Sequence, residues 1–287
     1  MVTTPARRCR LALNTATLGF RHTLPEIVAA LADRGISGIA PWRRELVDTP
    51  PAEARRRFED AGLAVTCLCR GSYLTFTSEQ QRTAILEDNR RAIDEAAALG
   101  TSVLCMVVGG LPEGMQDLRL ARRQVTEQLA ALVPHARAHG VRLALEPLHP
   151  MYAADRSCVS TLAQALDICD QVGPELGVMI DAYHLWWDPD FAAGLARAGA
   201  GRLLGWQICD WRVPTRDLLQ DRAMIGDGVI DLARMHREVA AAGWRGMVEV
   251  EIFSALDWDQ RPMTETLDVL CTRFARLALP DPADLLP

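Results

Sequence analysis

Short apolar runs alternate with amphipathic stretches along most of this chain, and glycine or proline marks most of the joints. Runs with β-strand character cover residues 10–18, 36–42, 64–69, 102–108, 141–146, 176–181, 203–209 and 247–252. Stretches with the 3.6-residue period of an amphipathic helix follow each of them, at 24–34, 51–61, 79–99, 117–139, 161–172, 189–198, 231–242 and 264–279. Gly35, Gly62, Gly100, Gly140, Gly173 and Gly243 stand where helices should stop. Eight strand-then-helix units predict a single (β/α)8 TIM barrel over residues 1–279, followed by a loose Pro/Asp-rich tail at 280–287. A doubly wound sheet would want a glycine-rich first turn. The first strand here exits through Asn14-Thr15-Ala16-Thr17-Leu18-Gly19, with no GxGxxG.

The ends of the last four strands carry the chemistry. Side chains alternate along a strand, so in Val141-Arg142-Leu143-Ala144-Leu145-Glu146 the glutamate shares a face with Ala144 and Arg142, and Pro147 ends the run. The strand at 176–181 ends on Asp181, the next reaches Gln207, and the last reaches Glu251, each flanked by apolar residues of the opposite face. A barrel of this kind carries its site at the C-terminal strand ends. Glu146, Asp181, Gln207 and Glu251 together offer hard oxygen donors and no thiolate, a set suited to one divalent metal, Mn²⁺ first, with Mg²⁺ or Co²⁺ as alternatives. Taken singly, each acid reads equally as a salt-bridge partner or a helix cap. Glu249 lies one layer deeper on Glu251's face and calls for a partner; Arg142 faces inward on the fifth strand, but no spacing joins the two.

Composition narrows the class. The chain has 287 residues, 49% hydrophobic, with a formal charge of −6, which argues against a nucleic-acid partner. No apolar run approaches the length of a membrane span, and the opening residues lack the apolar core of a signal peptide. Eight scattered cysteines without a CxxC pair read as reduced core thiols of a cytoplasmic protein.

Leu145-Glu146-Pro147, Asp181-Ala182-Tyr183-His184, Gln207-Ile208-Cys209-Asp210, Arg222 followed by Gly226-Asp227-Gly228, and Glu251-Ile252-Phe253 make the resemblance specific. The whole chain resembles the xylose-isomerase-like TIM-barrel family of sugar isomerases and epimerases, which also holds hydroxypyruvate isomerase, ketose 3-epimerase, inosose dehydratase and endonuclease IV branches. The resemblance implies that Glu146, Asp181, Gln207 and Glu251 ligate one divalent metal, although many members have histidine at the position of Gln207. It implies an isomerase or epimerase acting on a small ketose-like carbohydrate. Glu146 and Glu251 would be the catalytic acid/base pair, working through a metal-stabilised enediolate. His184 and Arg222 become substrate-binding residues by the same resemblance; from spacing alone they read equally as packing and as a loop arginine.

His149, in the loop after Glu146, and Trp42-Arg43, at the exit of the second strand, join the substrate-binding set, the latter as a surface for a sugar face and its oxygens. Gly226-Asp227-Gly228 reads either as a phosphate cradle or as a turn. His135 and His139 close a helix and read as structural. A lyase or dehydratase, expelling a β-leaving group from a keto-sugar, 3-keto-glycoside or keto-inositol, would use the same metal and first step. The DNA-repair branch needs more strand-end histidines than His149 and His184, and a binding-only barrel would not need four polar ends. Oligomeric state stays open, with Trp244 and Phe274 as apolar candidates for pairing.

Overall fold

The computed structural model describes residues 10–277; the tail expected at 280–287 lies outside them. In chain order the elements are β1 (Leu11–Asn14), α1 (Leu24–Asp33), β2 (Gly38–Ala40), α2 (Pro51–Asp60), β3 (Ala64–Val65), α3 (Glu79–Leu99), β4 (Val103–Met106), α4 (Leu118–Ala138), β5 (Arg142–Leu145) and α5 (Leu162–Val172). There follow β6 (Leu176–Asp181), a one-turn α6 (Ala182–Leu185), α7 (Phe191–Arg202), β7 (Leu203–Ile208), β8 (Asp210–Trp211), β9 (Arg222–Ala223), α8 (Leu232–Ala241), β10 (Val248–Val250) and α9 (Met263–Arg276). Every expected strand and helix is present, most within two or three residues of its expected bounds. The first strand is shorter, because Asn14 caps a 3₁₀ turn over Thr15–Leu18 by accepting from the Ala16 N–H. Two elements were not foreseen: α6, and the antiparallel β8–β9 pair inside the long loop after β7.

Eight parallel strands form one sheet in the order β3-β2-β1-β10-β7-β6-β5-β4. The barrel closes where the chain beyond β3 meets β4: Leu68 N–H donates to Val103 O at 3.0 Å and Cys105 N–H to Leu68 O at 3.1 Å. Alternation then sorts the side chains. Leu143, Leu145, Val178, Ile180, Trp206, Val248 and Val250 face outward into the large core under the helices. Ala40, Cys67, Cys69, Val103, Cys105, Ala144, Met179 and Leu204 make a smaller cluster inside the barrel. Ala40, Ala144 and the three cysteines are small, which suits a narrow interior. The seven cysteines among the described residues are all free. No described helix is long and apolar enough to cross a membrane. Trp244 and Phe274 pack partly buried against the core, so neither stands out as an open patch.

Helix ends follow the expected chemistry. Ser78, Asp117, Thr161 and Asp231 cap α3, α4, α5 and α8 through their side-chain oxygens. Arg142 points to the N-terminal end of the barrel, where it donates to Pro174 O (3.1 Å) and Gly201 O (2.8 Å), and is not the partner of Glu249.

Arg43 is a correction. Its guanidinium turns away from the strand ends and reaches α3, donating to Asp88 (2.9 Å) and Glu95 (2.6 Å). Arg43 Nη1 and Nη2 together hold both Asp88 oxygens, a bidentate grip that matches the planar guanidinium. The same contact, with Ser72, holds the Asp88 carboxyl well below the usual carboxylate range. A depressed carboxyl contributes stability above its unfolded pKa and loses it as pH falls through the folded value. Arg43→Ala should therefore cost about 1–2 kcal/mol at neutral pH, a figure discounted for partial exposure. Urea unfolding at neutral pH, repeated below about pH 4 where free carboxylates protonate, checks this: the gap between wild type and variant should shrink in acid. A gap independent of pH would contradict it.

Candidate metal and substrate site

The strand ends bring four polar side chains to the C-terminal mouth of the barrel. Asp181 ends β6 and stands directly opposite Gln207 of β7 in the ladder. Glu146 and Glu251 follow β5 and β10 by one residue. All four are nearly sealed from solvent, at 4%, 1%, 1% and 5% exposure for Glu146, Asp181, Gln207 and Glu251. Such burial is costly for carboxylates unless a cation answers them. Burial, and then the charge of Asp181, pushes Glu146 up to about 8. Burial lifts Asp181 to about 6 against the pull of Arg222, and raises Glu251 well above its ordinary value.

Arg222, on β9, reaches into this group. Its Nη1 donates to Glu251 Oε2 at 3.0 Å and to Asp181 Oδ2 at 3.4 Å. The guanidinium plane is held between aromatic faces, 4.4 Å from the Tyr183 ring centre and 4.8 Å from that of Phe253. One guanidinium set against three carboxylates leaves the cluster short of positive charge.

His184, on α6, closes one side. His149 donates its backbone N–H to His184 Nδ1 at 3.2 Å. His184 Nε2 lies 3.3 Å from Arg222 Nη2, 3.6 Å from Asp181 Oδ2 and 3.9 Å from Glu146 Oε1. Burial, then the charge of Arg222, moves the His184 pKa well below its ordinary value, so the ring is neutral at pH 7. Glu146, Asp181 and His184 each present a ligand atom within 4.8 Å of the others. Gln207 adds a telling detail: its Oε1 is buried and accepts no hydrogen bond from any described residue. A buried oxygen without a donor, beside carboxylates short of positive charge, is the environment a divalent cation would satisfy. The donor set fits a divalent metal.

A cavity of about 410 Å³ opens above this group. Glu146, His184, Arg222, Glu251 and Trp42 all line it. His149 does not line it. Its ring lies tilted against Trp211 with centroids 5.0 Å apart, and its contribution is the backbone N–H it donates to His184 Nδ1. Arg43 gives way to its neighbour Arg44, which does line the cavity and rides 4.4 Å over Phe20. Phe20 and Phe253 meet Trp42 edge-on at 5.6 and 5.7 Å, making an aromatic wall of which only Trp42 was foreseen. Phe253 directly follows the expected Glu251-Ile252 pair, which was the available clue; Phe20 carried none.

The glycine pair after β9 has its own occupant. Asp210 accepts from the N–H groups of Gly226 and Ile230, both at 3.0 Å, and of Trp211 at 2.9 Å. A Cβ on Gly228 would meet Asp210 Oδ1 at 2.4 Å. These donors are spent on the protein's own carboxylate. The motif therefore shapes the turn and is not a phosphate cradle. Tyr183 Oη donates to Leu218 O at 2.8 Å, and Tyr152 Oη donates to the same oxygen, pinning the β8–β9 loop over the cavity.

Comparison with known proteins agrees with this architecture. The chain is 27% identical over 249 residues to 3-dehydroshikimate dehydratase of Pseudomonas aeruginosa, an alignment covering 83% of this chain but only 37% of that enzyme. A solved structure from Sinorhizobium meliloti 1021 is 50% identical, with a TM-score of 0.91, over 93% of this chain and 98% of its own. The IolI protein, solved with a bound zinc atom, shares the fold at 19% identity and a TM-score of 0.80, over 93% of this chain and 97% of its own. Residues 28–272 match the profile described as xylose isomerase-like TIM barrel, and the chain belongs to that family.

Proposed function

We propose that this protein abstracts the proton beside the ketone of a small polyhydroxylated substrate and returns it, as a sugar isomerase or epimerase. Glu146 and Glu251 would be the acid/base pair, and one divalent cation would be held by Glu146, Asp181, Gln207 and Glu251. The observation that carries this reading is the placement of Glu146 and Glu251. Both line one cavity, and they belong to β5 and β10, which β6 and β7 separate in the sheet. A substrate between them meets a carboxyl group on each side, the arrangement needed to take a proton from one face and deliver one to another.

The other residues fall into supporting roles. Glu146, raised to about 8, is matched to proton transfer near neutral pH. Arg222 offers a permanent positive charge and N–H donors to a substrate oxygen, with the neutral ring of His184 beside it. Trp42 supplies a flat apolar surface for the carbon face of a sugar. The 287 residues include no lysine, so carbonyl activation through a Schiff base is not open to this chain. A bound cation supplies Lewis-acid polarisation of the carbonyl instead. Oxygen donors suit Mn²⁺ or Mg²⁺, with Co²⁺ as a further alternative; the zinc of IolI supports a divalent ion without choosing among them.

A second reading has its own support. Arg44, Arg70 and Arg156 line the cavity besides Arg222, giving it a cationic wall suited to an acidic substrate. The dehydratase relative aligns over most of the chain. Proton abstraction followed by loss of a β-leaving group from a keto acid or keto-sugar would use the same carboxylates, making the protein a lyase.

Two experiments test these roles. In D₂O with Mn²⁺, a panel of ketoses, inososes, 3-keto-glycosides and cyclic keto acids followed by NMR should show deuterium entering beside the carbonyl of one class. Glu251→Gln should slow that exchange by about 10²–10⁴-fold. Loss of a leaving group in the same spectra selects the lyase reading, and unchanged exchange in the variant removes Glu251 from the mechanism.

The second experiment uses pH. Glu146 and Asp181 are raised above their unfolded values, so the folded protein holds protons the unfolded chain has released, and stability drains away as pH rises from about 4 towards 8. A cation bound to these carboxylates reverses that loss. Mn²⁺ at about 100 times its Kd should stabilise by about 2.7 kcal/mol. At fixed Mn²⁺ the rise in Tm should be larger at about pH 8 than at about pH 5.5, because binding competes with protons. Equal shifts at both pH values, or none, would count against the metal site.

A further inference from the structure

Gln207 is the donor whose chemistry is ambiguous. A carboxylate offers oxygen whichever way it turns, whereas an amide carries oxygen on one prong and N–H₂ on the other, and only the oxygen can hold a cation. Some feature must decide which prong faces the strand-end carboxylates. The hydrogen bonds beneath the site decide it.

The order begins at Trp42. Its indole N–H donates to Asn14 Oδ1 at 2.7 Å, and the Ala16 backbone N–H donates to the same oxygen at 3.1 Å. Both groups can only donate. Asn14 must therefore give them its oxygen and send Nδ2 the other way, where it donates to Glu249 Oε1 at 2.9 Å. That oxygen also receives Gln207 Nε2 at 2.7 Å. Both N–H groups thus meet on Glu249 Oε1, while Oε2 accepts from Thr66 Oγ1 at 2.7 Å. Gln207 is left with its nitrogen committed and its Oε1 buried without a donor, on a strand position paired with Asp181.

We infer that Asn14 and Glu249 are positioning residues whose hydrogen bonds, ordered from the indole of Trp42, lock the Gln207 amide with its oxygen turned to the metal position. This rests on the metal reading above. It also links two parts of the site, because Trp42 lines the substrate cavity while the last member of the relay is a metal ligand.

Isosteric variants can reverse the relay without changing its packing or net charge. In Asn14→Asp/Glu249→Gln, the aspartate still accepts from Trp42 and Ala16 but turns a second oxygen to residue 249. The new glutamine must answer with its N–H₂, and Gln207 must then turn its oxygen inward and its nitrogen to the metal position. Glu249→Gln alone keeps the original direction, with its oxygen beneath Asn14 and Gln207 and its nitrogen toward Thr66. Adding Gln207→Glu to the reversed pair restores an oxygen at the metal position.

Mn²⁺ affinity by calorimetry, with electron paramagnetic resonance to count bound ions and circular dichroism to verify folding, reads the series. Wild type and Glu249→Gln should bind within about tenfold of each other, the reversed pair should bind about 10–100-fold more weakly than Glu249→Gln, and the triple variant should recover. A reversed pair that binds as Glu249→Gln does, or a triple variant as weak as the pair, overturns the relay while leaving the metal site standing. Wild type that binds no Mn²⁺ overturns the metal reading and the relay with it.

Discussion

Three carboxylates are sealed at one end of a barrel with a single guanidinium to answer them, and much of the site follows from that imbalance. Glu146, Asp181 and Glu251 are buried almost completely, and Arg222 touches only two of them. An uncompensated buried charge costs several kcal/mol, so such a cluster persists in a folded protein only if protons or a cation complete it. The upward shifts of all three acids are the proton-bound answer. The Gln207 oxygen, without a donor among the described residues, is one that a cation would satisfy.

The surrounding elements serve this cluster at successive distances. Short side chains inside the barrel, such as Ala144 and Cys105, leave room beneath the acids, and Cys105 donates to Glu146 Oε2 at 3.2 Å. One layer deeper, Glu249 gathers Asn14, Thr66 and Gln207 around its two oxygens. Above, the β8–β9 pair carries Arg222 into the site, and Asp210 holds the glycine turn that follows it. The buried polar groups are joined in networks with a defined direction, and that direction gives the site its chemistry.

Much of this was legible in the chain. Period-two alternation placed Glu146, Asp181, Gln207 and Glu251 inward, because a one-residue slip would have turned Leu145, Ile180, Trp206 and Val250 into a narrow polar mouth. What alternation does not encode is the reach of a long side chain. Arg43 adjoins a strand end, yet its long, flexible side chain lets it find Asp88 and Glu95 on α3. His149 follows Glu146 closely in sequence, but its ring turns to Trp211. Glu249 was recognised as needing a partner, and the partners proved to come from β1, from the chain after β3 and from β7, contacts fixed only when the barrel closes. Likewise the Gly226 to Gly228 spacing has the form of an anion cradle, and only the fold reveals that Asp210 fills it.

Anomalous diffraction from crystals soaked in Mn²⁺ tests the central claim most directly. The account predicts one strong peak among Glu146, Asp181 and Glu251, with the side-chain oxygen of Gln207 turned to it. No peak there in Mn²⁺-soaked crystals held at about pH 8, with Glu251 and Asp181 still held by Arg222 alone, would mean that protons complete the cluster and that this barrel is not a metalloenzyme.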